Sequence, residues 1–205
     1  MSKIDLKTEY KPLYSATARD FTLVDVPPLS FLMFDGKGDP NTAPVYHQAV
    51  EALFSLSYTL KFMSKRALGR DYVVGPLEGL WSSDDVSDFA ARRKSKWSWT
   101  MMILQPDWIG IDMLSAARAE VLMKNGLPGL ENVRLERLHE GPSAQILHVG
   151  SYDDEGPVLH RLHSEWLPAN GLAPTGRHHE IYLSDPRRVE PAKLKTLLRQ
   201  PVKPI

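Results

Sequence analysis

The chain has 205 residues, 25 basic and 25 acidic, with 42% hydrophobic residues and no cysteine. That length and apolar content suffice for a buried core without covalent staples, and the lack of thiols excludes disulfides, thiolate zinc sites and cysteine nucleophiles. Zero net charge argues against a dedicated nucleic-acid binder, and no apolar run approaches the roughly 20 residues that span a bilayer. The start, Met1-Ser2-Lys3-Ile4-Asp5, lacks the apolar core of a signal peptide. Together with the missing cysteines, this points to the cytoplasm. The densest basic run, Arg92 to Lys96, follows Asp84, Asp85 and Asp88 and reads as a solvated loop with internal pairing.

Residues 1–20 read as a polar arm with Tyr10, Leu13 and Tyr14 as apolar points. Phe31 to Phe34 is the first strand, ended by the glycines and proline of Asp35 to Pro40. A helix follows from about Pro44 to Arg66. Proline suits its first turn, and Val45, Ala49, Leu53, Leu56, Leu60 and Met63 form one apolar stripe. Gly69 stops it. Tyr72-Val73-Val74 reads as a strand, and Leu77 to Trp81 as a further extended segment. Trp97 to Leu104 alternates, with Trp97, Trp99, Met101 and Ile103 on one face. A helix from about Ile111 to Asn125 stops at Gly126, and a strand lies near Val133 to Leu138.

The pattern of the first half then returns. Gln145 to Gly150 resembles Phe31 to Gly36, and both pass through an acidic loop into an amphipathic helix. The later helix carries Leu159, Leu162 and Trp166 on one face and stops near Pro168 to Gly171. A strand is predicted at His179 to Leu183 and a short helix at Pro191 to Arg199. An internal duplication is the economical reading. The expected fold is α+β, two strand–helix–strand–strand units forming a pseudo-symmetric antiparallel sheet, with helices on one face and a ligand pocket on the other. The expected organisation is one domain over 1–205, with an arm at 1–20, a first repeat at about 21–125 and a second at about 126–205.

Four blocks carry a family resemblance. They are Tyr72 to Trp81, Lys96 to Met102, Gln105-Pro106-Asp107-Trp108, and His178-His179-Glu180-Ile181-Tyr182-Leu183-Ser184-Asp185-Pro186. They resemble the stand-alone GyrI-like small-molecule-binding proteins, over about residues 10 to 203. The resemblance implies a pocket shared by two repeats and a glutamate of the second half that contacts a bound cation. Some stand-alone members hydrolyse cyclopropane-bearing, DNA-alkylating natural products and so protect the cell. Many relatives carry a second aromatic after the residue matching Trp81, where this chain has Ser82. No helix-turn-helix segment precedes the domain, so a DNA-binding activator is not expected.

Glu180 is the candidate catalytic residue. The two-residue period of a strand puts His178, Glu180 and Tyr182 on one face and turns Ile181 and Leu183 to the other, toward the helices. A carboxylate among aromatics can hold a cation or act as general base. From the residues alone, a solvated surface glutamate is an equal alternative; the resemblance favours function. Glu78 has two open readings, a cavity carboxylate or an acceptor of backbone N–H groups. Trp81, Trp99, Trp108, Tyr152 and Tyr182, with His178, are candidate ligand contacts, since aromatic faces attract cations; a plain core is their other reading. Trp97 is weighed with them, and Trp166 is assigned to the core. His160 and His163, three apart, read as surface or structural histidines rather than metal ligands. Gly36-Lys37-Gly38 lacks the spacing of a phosphate loop.

The expected partner is a small aromatic, cationic or electrophilic molecule, with no nucleic acid, no membrane, no metal and no organic cofactor. The protein is expected to be a monomer or homodimer. The leading function is hydrolysis or capture of such compounds in detoxification. The alternatives are a non-catalytic sensor or sequestering protein, and a protein-interaction module.

Overall fold

The computed structural model describes residues 3–85 and 93–205. Asp88 and Arg92 of the expected charged loop lie outside them; within them, Lys37 pairs Asp84 at 3.4 Å. In chain order the strands are β1 (Thr22–Val26), β2 (Leu29–Lys37), β3 (Glu78–Ser82), β4 (Ser98–Gln105), β5 (Arg134–Leu138), β6 (Gly141–Val149), β7 (Leu172–Pro174), β8 (His178–Tyr182) and β9 (Lys195–Pro204). The α-helices are α1 (Leu6–Glu9), α2 (Lys11–Tyr14), α3 (Pro44–Leu68), α4 (Ile111–Asn125), α5 (Gly156–Arg161) and α6 (Leu167–Ala169). No helix among the described residues is long and apolar enough to cross a membrane.

The chain divides into two compact units, Met1–Glu9 with Leu29–Leu138, and Tyr10–Pro28 with His139–Ile205. The first unit pairs its strands antiparallel in the order β5-β2-β4-β3. The second pairs β1-β6-β9-β8, also antiparallel, with β7 on the end of β9. The two orders are the same. In each, the first strand of the repeat lies beside the third, the second strand lies on the third's other edge, and one extra strand flanks the first. This is the duplicated strand–helix–strand–strand pattern expected from the sequence; the chain passes from the first unit to the second at 9/10 and again at 138/139. β5 therefore belongs with the first unit, and the segment from Tyr10 with the second.

The helix α3 starts with proline at its first position and ends at Gly69 in the left-handed conformation, φ 65°, where glycine avoids a Cβ clash. Its buried side includes Ala49, Ala52, Leu53, Leu56 and Leu60. It covers the face of β4 that bears Trp99 and Gln105: Tyr46 meets the Trp99 ring edge-on at 5.2 Å, and Gln105 donates to Ser57 Oγ at 3.1 Å. Lys61, largely buried on the same helix, pairs Asp71. In the second unit Phe21, Ala144, Ile146, Leu162, Leu167, Leu198 and Val202 form the core, with Val158, Leu159 and Trp166 packed on it. The core role expected for Trp166 holds, and its ring lies 5.5 Å from Phe21.

Three expectations are corrected. Tyr72-Val73-Val74 is no strand; Tyr72 makes one isolated bridge to Ile4. Pro191 to Arg199 is not a helix: after a short turn at Pro191–Lys193 the chain enters β9. Thr196 to Val202 are all buried, so the strand shows no two-residue alternation to betray it. β1, within the segment after the arm, and β7 also had no distinct pattern in the sequence. The helix carrying Leu159 to Trp166 is interrupted by a π-turn over Leu162–Trp166, closed by Leu167 N–H donating to the Leu162 carbonyl. Pro168, which follows directly, has no N–H to offer the Ser164 carbonyl four residues back.

Candidate functional site

Strand register fixes which way Glu180 points. Glu180 lies opposite Leu198 on β9, and Leu198 lies opposite Ile146 on β6. Cross-strand partners share a face. Leu198 and Ile146 pack in the core with Leu162 and Leu167 of the helical segment. Glu180 thus stands on the helix-covered face of its unit, and Ile181, opposite Leu197, on the other. The sequence reading that turned Ile181 toward the helices is reversed. It assumed that the more apolar face meets the helices, whereas the opposite face is itself closed: Ile181 is fully buried, and so is His179.

On the helix-covered face His178, Glu180 and Tyr182 form a row. The Tyr182 hydroxyl donates to Glu180 Oε2 at 2.8 Å. The other carboxylate oxygen, Oε1, is 3.6 Å from His178 Nε2, and the two side chains are 14% and 12% exposed. Neither ring nitrogen of His178 is hydrogen-bonded to another described residue. Burial pushes the His178 pKa down to about 3, with the neighbouring His163 and His179 acting the same way and Glu140 opposing them. The ring is therefore neutral at pH 7 and does not cancel the Glu180 charge.

Tyr152, from the turn Tyr152–Glu155, meets Tyr182 edge-on at 5.6 Å. Burial raises the Tyr152 pKa to about 12, and the charges of Glu180, Glu155 and Asp185 add to it. An aromatic pair thus sits in a field of three carboxylates, an environment suited to a cation. Thr196, opposite Tyr182 on β9, adds a buried hydroxyl on the same face with no hydrogen-bond partner among the described residues. Sequence reasoning missed it because the segment read as helix. It also missed Glu155, which looked like one more loop acid.

Of the residues expected from sequence, Tyr152, His178, Glu180 and Tyr182 come together. Glu78, Trp81, Trp99 and Trp108 belong to the first unit. There Trp81 pairs with Trp99 across β3 and β4 and meets the Trp97 ring at 5.7 Å. Trp99 is buried core, its Nε1 donating to the Gly38 carbonyl at 3.2 Å. Glu78, fully buried, lies opposite Met102 and so on the face away from Trp81, Trp99 and α3. Trp108 is elsewhere again: its Nε1 donates to Ser64 Oγ at 2.9 Å, and the Arg70 guanidinium stacks on it at 3.7 Å. Ser64 is eighteen residues beyond Tyr46 on α3, about 27 Å at 1.5 Å per residue. Trp108 clasps one end of that helix and Trp99 the other.

His160 and His163 take no metal-site arrangement. Among the described residues no group of three or more histidines and carboxylates is placed to hold an ion.

On the far side of β8, His179 Nδ1 lies 3.0 Å from Glu140, which also accepts from Arg199 Nη1 at 3.1 Å. Arg199 donates to the Leu13 carbonyl, and Gln145 to that of Pro12. This buried network ties the segment around α2 to the strands that carry the site.

A family model for the GyrI-like small-molecule-binding domain matches residues 19–203. The chain belongs to the GyrI-like family. No curated protein matches it. Among solved structures, an uncharacterized conserved protein from Listeria innocua is 38% identical, covering 98% of this chain and 100% of its own, with a TM-score of 0.88. A protein described as a hydrolase from Listeria innocua is 38% identical with the same coverage and a TM-score of 0.85. The C-terminal domain of EcmrR is 11% identical, covering 91% of this chain and 98% of its own at a TM-score of 0.57. It shares the fold alone.

Proposed function

We propose that this GyrI-like protein binds a small cationic or electrophilic aromatic compound beside Glu180 and hydrolyses it by adding water to a strained ring, in a detoxification role. One observation carries the reading. Glu180 lies beside a neutral imidazole and accepts from a tyrosine hydroxyl, next to an edge-on tyrosine pair that also feels the charges of Glu155 and Asp185. The hydrolase description of the Listeria innocua relative supports the enzymatic form.

In this reading Glu180, whose Oε2 accepts from the Tyr182 hydroxyl, takes a proton from water. Tyr152 and Tyr182 present ring faces and edges to the ligand, and such rings stabilise positive charge as it develops. Holding water and ring carbon in reacting geometry supplies several kcal/mol of the barrier. The substrate is a cyclopropane conjugated to a carbonyl group. Water oxygen bonds to the ring carbon as the carbon–carbon bond breaks, and its electron pair passes into the conjugated carbonyl, which is then protonated. Incubating the protein with such a compound and following the product by mass spectrometry tests this. Repeated turnover to the water-added product is expected, and its loss in Glu180→Gln with ligand binding retained. A single equivalent of product, or unchanged turnover in that variant, would remove the assignment.

A further inference from the structure

We propose that the outer face of α3 docks a second copy of this chain, with the two α3 helices antiparallel about a two-fold axis at Tyr58. The proposal stands apart from the reading of the Glu180 site.

The core stripe of α3 leaves an opposite face, and that face is not polar. Glu51, Phe54, Tyr58, Phe62 and Lys65 recur on it at spacings of three and four. At about 100° per residue the five fall within an arc of about 80°. The core residues Ala49, Ala52, Leu53, Leu56 and Leu60 all lie on the other side of the helix. Tyr58 and Phe62 are 49% and 51% exposed. Glu51 and Lys65 are exposed as well, and Phe54 is half-buried. The Phe54 and Tyr58 rings stack at 6.4 Å. One exposed aromatic is ordinary. Three in a row along one helix, bounded by charge at each end, mark an interaction surface.

The order of the stripe points to its occupant. Glu51 lies seven residues before Tyr58 and Lys65 seven after it; Phe54 lies four before and Phe62 four after. Acid and base thus stand about 10 Å to either side of the tyrosine, at 1.5 Å per residue. A two-fold interface uses the same patch on both copies, so the patch must complement itself. Reversed onto itself at Tyr58, this one does. Each Glu51 comes level with the partner's Lys65, each Phe54 with the partner's Phe62, and the two tyrosines meet at the axis. A parallel pairing would instead set acid against acid and base against base. Lys65 lies 3.4 Å from Asp71 in its own chain, but its side chain is 60% exposed and an ammonium has three donors, so it can take a second carboxylate. The aromatic rings supply the affinity and the charges at the rim fix the register. One pair of helices falls at the small end of specific interfaces, under about 1,200 Å² in total, so dissociation in the micromolar range is expected.

Sedimentation velocity over about 1–500 µM protein reads this equilibrium directly. The parent should pass from monomer to dimer within that range. Tyr58→Glu places two carboxylates at the axis and should raise the dissociation constant at least about thirtyfold, the weight of a central tyrosine anchor. Glu51→Lys and Lys65→Glu each set like charges against one another across the axis and should each weaken the dimer about tenfold. Mixed one to one, these two variants should regain the parental association, because opposite charges then face each other at both ends. The three positions are exposed, and circular dichroism checks that each variant keeps its helices. A parent that stays monomeric throughout overturns the proposal. So does a dimer indifferent to Tyr58→Glu, or a mixture that associates no more tightly than the single variants alone. A monomeric parent that cosediments with phosphatidylcholine vesicles, and loses them in Tyr58→Glu, would give the stripe to a lipid surface instead.

Discussion

The Trp99 indole lies across Gly36, so that a Cβ built there would sit 2.1 Å from Cη2 and 2.3 Å from Cζ2. The ring cannot move aside easily, since it is pinned by its bond to the Gly38 carbonyl and by the Tyr46 ring. Gly36→Ala is therefore expected to destabilise the protein by about 2–3 kcal/mol, the usual cost of overpacking a tight core. Combining it with Trp99→Leu should make the two losses strongly non-additive, because the second change removes the clash. Urea denaturation midpoints of the four proteins check this. A Gly36→Ala midpoint equal to that of the parent would contradict it.

The buried pair of Arg199 and Glu140 predicts an asymmetry. Removing Arg199 leaves Glu140 at 4% exposure, still paired with His179, and breaking a buried pair from one side costs about 3–5 kcal/mol. Arg199→Met should fall at the lower end, because His179 remains. The double variant with Glu140→Met should recover part of the loss. The pH dependence has a definite sign. Burial alone would raise the Glu140 pKa, but His179 and then Arg199 outweigh it and hold it at about 2, against 4.5 for an unperturbed carboxyl. The stabilisation, about 3 kcal/mol for a shift of that size, is present in full above pH 4.5 and lost as pH falls from 4.5 toward 2. The double variant should lack this acid-dependent component in thermal unfolding from pH 6 to pH 2.

The sequence made the repeats legible where amphipathic period and punctuation coincide. The α3 stripe stopped by Gly69 and the Ile111–Asn125 helix stopped by Gly126 are the clearest cases. It failed where tertiary burial erased the period. In β9, Leu197 and Leu198 face opposite sides and are both fully buried, so the segment carries no alternation. The site was legible in part for the same reason. The row of His178, Glu180 and Tyr182 follows from the strand period, but which face meets the helices depends on register with β9 and β6. The tryptophans are ambiguous in sequence because burial, pocket lining and helix clamping all use the same side chain. Only contacts distinguish Trp108 on Arg70 from Trp81 on Trp97.

That distinction makes Trp108 a useful control. Its indole bonds Ser64, carries the Arg70 guanidinium over its face and meets the Tyr72 ring edge-on at 6.1 Å, at the end of α3. Trp108→Phe keeps the ring stack and loses one hydrogen bond, leaving Ser64 its bond to the Arg70 carbonyl. A loss of about 1 kcal/mol is expected, read from denaturation midpoints, with the affinity for ethidium, a planar cationic probe, unchanged. A large drop in affinity at unchanged stability would put Trp108 in the binding site after all.

Tyr152 reports on the charges around Glu180 directly. With a pKa of about 12 rather than 10, raised first by burial and then by Glu180, Glu155 and Asp185, it should remain about nine-tenths protonated at pH 11, where an ordinary tyrosine is about nine-tenths ionised. Glu180→Gln removes one of the three charges and should increase the ionised fraction at that pH. Ring-carbon NMR of labelled tyrosine, assigned with Tyr152→Phe, measures it. Because the folded value is raised, the neutral phenol's contribution to stability is present below pH 10 and is lost as pH rises from 10 toward 12. The Tyr152→Phe variant should therefore lose less stability over that interval than the parent. Ionisation of Tyr152 that is indifferent to Glu180→Gln would mean that the carboxylate does not face the tyrosine pair, and the cation preference assigned to this face would go with it.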